Sequence, residues 1–147
     1  MASGAPGLHF EAYLQDEAPV DFQRIRDYEN RIHEEPWIDG WTPTNTDSAF
    51  TDDVYFSDEN DFVQKAPGGF TTQERYLMRW TGTLSVTDSG EYGFRTKSDD
   101  GSMLYINGEA IVDNDGDHGC SEMEGFVSLT AGELKYRLST FLDRYFR

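Results

Sequence analysis

Two short stretches carry residues whose types and spacing could do chemistry. The first is "KSDDGSM", which sets Asp99 and Asp100 side by side. The second is "VDNDGDHGCSEMEG", with Asp113, Asp115 and Asp117 at alternate positions and Glu124 at the twelfth place counted from Asp113. Carboxylates are hard oxygen donors, and calcium prefers such ligands. Read as an EF-hand, the second stretch would offer Asp113, Asp115, Asp117, Gly119, Ser121 and Glu124. Two requirements fail. The sixth place needs glycine for its sharp turn and holds His118 instead. The flanks should be helices, yet "LYINGEAIV" reads as a hairpin. A calcium loop of some other kind at 113–124 remains as a rival reading.

The Asp99-Asp100 pair has its own alternatives. On pattern alone, Asp-Asp-Gly between alternating strands is a hairpin turn. A metal site asks for more. Adjacent side chains of an extended trans chain point to opposite faces, so two neighbouring carboxylates grip one ion only where the backbone bends sharply, as a cis peptide would make it do. Other chemistries find less support. Cys120 lies two residues from His118 with no third group to orient it. His9, His33 and His118 lack metal-ligand spacing. No glycine loop for phosphate precedes a helix. With 28 acidic residues, carboxylate pairs can be drawn in many ways, so none marks a glycosidase. The chain reads as a non-enzyme.

Composition bounds the partners. Twelve basic residues against 28 acidic ones give a net charge of −16 over 147 residues. Such a chain repels nucleic acid and anionic membrane surfaces. It suits cations and neutral partners such as sugars, and it also suits a merely soluble acidic surface. The single cysteine, Cys120, excludes an internal disulfide and a zinc cluster. No apolar run approaches the roughly 20 residues of a membrane-spanning helix. The opening "MASGAPG" has no apolar signal core and reads as a disordered start over residues 1–7. By length the chain is one domain, 1–147.

Strands must position these residues. "LHFEAYL" alternates, with Leu8, Phe10, Ala12 and Leu14 on one face. Residues 20–33 are ambiguous, and 36–53 read as loop because Pro, Gly and Asn punctuate them. "VYF" at 54–56 is a short strand. Ser57 as cap, acids in the first turn and Lys65 before Pro67-Gly68 predict a short helix over 58–65. From residue 76 the pattern is plainly β. Tyr76, Met78, Trp80, Leu84 and Val86 share a face, and Tyr92 and Phe94 share another. Turns fall at "TDSG", at "SDDG", at Asn107-Gly108 and at Ala131-Gly132. Short strands at this spacing predict an all-β protein, an antiparallel sandwich or barrel.

The segments "RWTGTLSVTDSGEYGFRTKSDDGSMLYINGEAIVDNDGDHG" and "EGFVSLTAG" together resemble the protective-antigen-fourteen domain family. The carriers are a W-x-G strand, G-x-Y-x-F, S-D-D-G-S, a strand ending in Asn-Gly, V-D-N-x-G-x-H and L-x-A-G, all in order. "DFVQKAPGGF" fits the short helix and turn of some members. The resemblance is close over 79–132 and loose over 8–138. It implies an antiparallel β-sandwich or barrel, found mostly outside the cell in adhesins, glycosidases, toxins and flocculins. It further implies a calcium-dependent carbohydrate-binding module, in which consecutive aspartates joined by a cis peptide hold calcium that coordinates sugar hydroxyls. Asp99 and Asp100 match that pair. Asp113, Asn114 and His118 match the loop after the second hairpin, as loop supports or as residues near the sugar. Glycans or glycoproteins are then the partners, at an extracellular or cell-surface location. Trp37 and Trp41 are expected in the core, with sugar stacking as the alternative.

The departure lies at the C-terminus. "ELKYRLSTFLDRYFR" drifts from the family pattern, so the last family strands and the later ligand loop are expected to be missing. That would leave a strand edge open to self-association. The alternative function is a spacer or assembly domain of the same fold, without metal or sugar.

Overall fold

A computed structural model describes residues 8–14, 45–50, 76–116 and 118–142. These form eight strands: β1 (Leu8–Leu14), β2 (Asn45–Phe50), β3 (Tyr76–Val86), β4 (Gly90–Ser98), β5 (Ser102–Ile106), β6 (Glu109–Asn114), β7 (Ser121–Leu129) and β8 (Gly132–Leu142). Among the described residues one sheet has the order β2-β1-β3-β8-β5-β6 and a second pairs β4 with β7. Every ladder is antiparallel. The helix read at 58–65, the strand at 54–56, the segment 20–33, Trp37, Trp41 and the start at 1–7 lie outside the described residues.

The alternation in β1 and β3 does what the sequence requires. Phe10 pairs with Trp80 and Ala12 with Met78, and all four are buried. The Phe10 and Trp80 rings sit 5.2 Å apart and tilted at 50°, a favourable arrangement for aromatic quadrupoles. The opposite face is buried as well. Leu77 lies there with the cross-strand pair Glu11 and Arg79. The Arg79 guanidinium donates to Glu11 Oε1 from Nη2 at 2.7 Å and from Nε at 3.2 Å. Charge-assisted bonds of this kind make burial of both charges tolerable. A second core forms where Val86, Ile106 and Leu129 meet Tyr92, Phe94, Ile111 and Val127. It joins the β4–β7 ribbon to the large sheet.

Two readings of the sequence change. Residues 45–50, read as loop, form strand β2 on the edge beside β1. Pairing with β1 overrides the weak local propensity of "NTDSAF". The second change concerns turns. Asn107-Gly108 is a true hairpin, with φ of 52° and 80° as a primed turn requires. "SDDG" is not a hairpin, because β4 pairs with β7 and β5 with β6 and β8. "TDSG" and Ala131-Gly132 are likewise crossings from one sheet to the other. A turn signal says that the chain bends and leaves open which strand it returns to.

The four crossings gather in two pairs. At one end, β3→β4 meets β7→β8, where Tyr92 Oη donates to the Asp88 carbonyl and Ala131 N–H to Ser89 Oγ. At the other end, β4→β5 meets β6→β7. Between the ends, Gly125 lets β7 press on β6. A Cβ built there would lie 1.9 Å from the Ile111 carbonyl oxygen. Gly125→Ala should therefore destabilise the protein by about 2 kcal/mol or more, read by chemical denaturation. Gly90→Ala, with nothing within 4 Å of the new carbon, should change stability little.

Candidate functional site

The β4→β5 and β6→β7 crossings meet where Ser98 pairs with Ser121 and Ser102 pairs with Asn114. Beneath them lies a buried polar network. Asn114 is 4% exposed. Its Nδ2 donates to the Ser121 carbonyl at 3.0 Å, Ser98 Oγ at 3.2 Å and Ser102 Oγ at 3.4 Å. Its Oδ1 accepts from Ser121 Oγ at 2.8 Å. Ser102 Oγ donates onward to Thr96 Oγ1 at 2.9 Å and lies 2.7 Å from Ser98 Oγ. One amide thus ties together β4, β5, β6 and β7.

The two loops sit on this network and touch each other. Asp99-Asp100 is a cis peptide. Asp100 is 5% exposed, and its Oδ1 accepts the His118 backbone N–H at 3.1 Å. Gly101 lies against the other loop. A Cβ there would come within 2.8 Å of Gly116 N and 3.2 Å of Asp115 Oδ1. Asp115 Oδ1 accepts the Gly116 N–H at 2.8 Å, and Asp113 Oδ1 accepts the Asp115 N–H at 3.2 Å. These bonds from acid side chains to nearby amides are the usual means of holding such a loop.

His118 is held at both ring nitrogens. Nε2 lies 2.8 Å from the Asn114 carbonyl and Nδ1 lies 2.7 Å from the Gly119 carbonyl. Carbonyls only accept, so both bonds are made only when both nitrogens carry protons. Burial by itself would lower the His118 pKa. The Asn114 and Gly119 carbonyls outweigh it, helped by the charges of Asp100 and Asp99, and the pKa is raised above the usual histidine value.

The five residues singled out in the sequence therefore come to one end of the sandwich. Asp99 and Asp100 occupy the β4→β5 crossing, exposed Asp113 and half-buried His118 flank the opposing loop, and Asn114 faces inward beneath them. The EF-hand frame is absent, because strands β6 and β7 flank the 113–124 stretch. Glu124 sits within β7 opposite Arg95, on a different part of the molecule, and Asp117 lies outside the described residues. Cys120 is an exposed thiol. Thr96, Ser98, Ser102 and Ser121 went unremarked in the sequence. Their only signal is that hydroxyl residues bracket both loops.

The donor chemistry fits a hard cation. The pair offers carboxylate oxygens, the hard donors that such an ion prefers. Among the described residues, no three His, Cys, Asp or Glu side chains converge as a metal cluster. Calcium takes about six to eight oxygens. Two carboxylates can anchor such an ion, with backbone carbonyls, water or a ligand hydroxyl to complete the shell.

Two predictions follow from this packing. Asn114→Ala should cost about 1–3 kcal/mol, seen in denaturant melts, because it strips partners from serine hydroxyls in three other strands. In chelator, the stability supplied by protonated His118 should be fully present below its unfolded pKa of about 6.5 and lost as pH rises through the higher folded value. The stability difference between the native chain and His118→Gln, measured against pH, should shrink across that window.

Comparison with known proteins places the fold. Among curated proteins none matches the chain. Several solved structures share its architecture. The PA14 domain of the antifreeze protein MpAFP superposes with a TM-score of 0.64 at 17% identity, over 98% of this chain and 81% of that one. A PA14 sugar-binding domain from an RTX adhesin gives 0.61 at 17%, over 93% and 82%. An anti-sigma factor domain-containing protein from Clostridium clariflavum gives 0.59 at 21%, over 94% of this chain and 38% of that one. The chain thus spans about two fifths of the anti-sigma factor protein it matches. At these identities the likeness speaks for the fold alone. The sequence profile of the PA14 domain matches residues 34–136, well over half of the chain, and on that match the chain belongs to the PA14 domain family.

Proposed function

We propose that this chain is a non-catalytic carbohydrate-binding module whose sugar contact runs through calcium held by Asp99 and Asp100. The observation that carries the reading is the presentation of this pair. Its adjacent carboxylates stand at the meeting of two loops, with Asp100 held by the His118 N–H and the loops seated on buried Asn114. The PA14 fold supports it, as does the description of one structural neighbour as a sugar-binding adhesin domain. Bound calcium would supply a Lewis-acidic centre that exchanges water for sugar hydroxyls. The chain's own residues do the rest. Asp99 and Asp100 anchor, the His118 backbone orients Asp100, and Asp113 and Asp115 shape the loop beside them. The charge of −16 favours cations and excludes polyanionic ligands. Single sites of this kind bind weakly, and repetition on a surface raises avidity. An adhesive role outside or on the surface of a cell agrees with this design.

One observation favours a second reading. Among the described residues no three His, Cys, Asp or Glu side chains converge to hold an ion, which would also suit a spacer or assembly domain without metal or sugar. Thermal melting separates the two. A ligand that binds only the native state stabilises it by about 2.7 kcal/mol at a hundredfold excess over Kd. For a chain of this size that is a rise in Tm on the order of 5–10 °C. Millimolar calcium should produce such a rise against chelator, and Asp99→Asn with Asp100→Asn should abolish it. No rise in the native chain would favour the spacer. A rise that survives in the double variant but vanishes in Asp115→Ala with Glu124→Ala would move the ion to the 113–124 stretch.

A further inference from the structure

The β4–β7 ribbon has an inner face, built from Tyr92, Phe94 and Val127, and an outer face. The outer face is charged along its length, with Lys97 paired to Glu122 and Arg95 to Glu124. One residue there breaks the pattern. Phe126 is 62% exposed, in a strand whose regular register places it directly across from Gly93. The ring lies over that glycine. A Cβ built on Gly93 would be 2.9 Å from Phe126 Cε1 and 3.3 Å from Cδ1. The missing side chain leaves a notch that seats one edge of the ring and turns the remainder to solvent.

Polar groups lie on one side of this ring. Glu124 Oε1 lies 3.6 Å from the same built carbon, so a carboxylate oxygen sits next to the ring. Arg95 Nε donates to Glu122 Oε1 at 3.2 Å, which places a guanidinium and a second carboxylate further along the same face. An apolar platform with donors and acceptors at its margin matches the amphipathic surface of a sugar ring, whose C–H groups pack on the aromatic face while its hydroxyls reach the charged groups. One ring in a charged face is far too small for a specific protein partner, which needs on the order of 1,000 Å².

The ribbon that carries the platform also leads into the Asp99-Asp100 crossing. β4 runs from Gly93 to Ser98 and enters the aspartate pair directly, and β7 leaves the His118 loop at Ser121. Five residues of strand separate the notch from the end of the ribbon, about 17 Å at some 3.4 Å per residue. A single hexose does not span that distance, and an oligosaccharide does.

We infer that the outer face of the β4–β7 ribbon is a second sugar subsite, with Phe126 as its stacking platform, and that the ligand is an oligosaccharide reaching from Asp99-Asp100 to Phe126. The inference rests on the carbohydrate-binding reading above and adds ligand length to it. The test is titration calorimetry in millimolar calcium, with glucose, mannose and galactose and the linear tetrasaccharide of each as probes. In the native chain a tetrasaccharide should bind between about threefold and tenfold more tightly than its monosaccharide. Phe126→Ala should remove that gain and leave monosaccharide binding intact, and Phe126→Trp should retain the gain. Equal affinity for both lengths, or a tetrasaccharide affinity unchanged in Phe126→Ala, would overturn the subsite while calcium-dependent monosaccharide binding stood. Binding of none of the probes would overturn both the subsite and the reading on which it rests.

Discussion

The end of the molecule that carries the aspartate pair depends on one buried side chain. Asn114 is removed from water and must find partners for its amide. It finds them in Ser98, Ser102 and Ser121, which belong to strands of both sheets. Satisfying that amide therefore brings the ends of β4, β5, β6 and β7 to a common point.

The loops inherit their shape from this base. With the strand ends fixed, the short connections at 99–101 and 115–120 have little room. Gly101 admits the backbone of the opposing loop where a side chain would collide. The loop acids then serve local amides, the His118 ring bonds two carbonyls, and its N–H turns to Asp100. The same arrangement links the site to the ribbon. Ser98 and Ser121 are at once members of the buried network and the last pair of β4–β7, so the ribbon ends on the network that carries the two loops.

The acidic surface has a counterpart inside. Arg79 and Glu11 bury a charge pair within the six-stranded sheet, and the aromatic contact of Phe10 with Trp80 covers the reverse face. The six-stranded sheet is thus buried on both faces at β1 and β3.

Much of this was legible in the sequence. Alternation of period two named the strands and most of the inner faces, because side chains of a pleated strand must point to opposite sides. Asn107-Gly108 named its hairpin, because few residue pairs accept two positive φ angles. The ordered motifs named the family and, through it, Asp99 and Asp100. Other features were decided only by the tertiary structure. Strand β2 exists because β1 offers its edge, which no local propensity reveals. "SDDG" and "TDSG" cross between sheets because β4 finds β7 about thirty residues later, and the residues of a turn carry no record of a partner so distant. Asn114 turns inward, and Phe126 outward over Gly93, because of where neighbouring strands lie. In the sequence both are single letters in loops and strands that many side chains would fit.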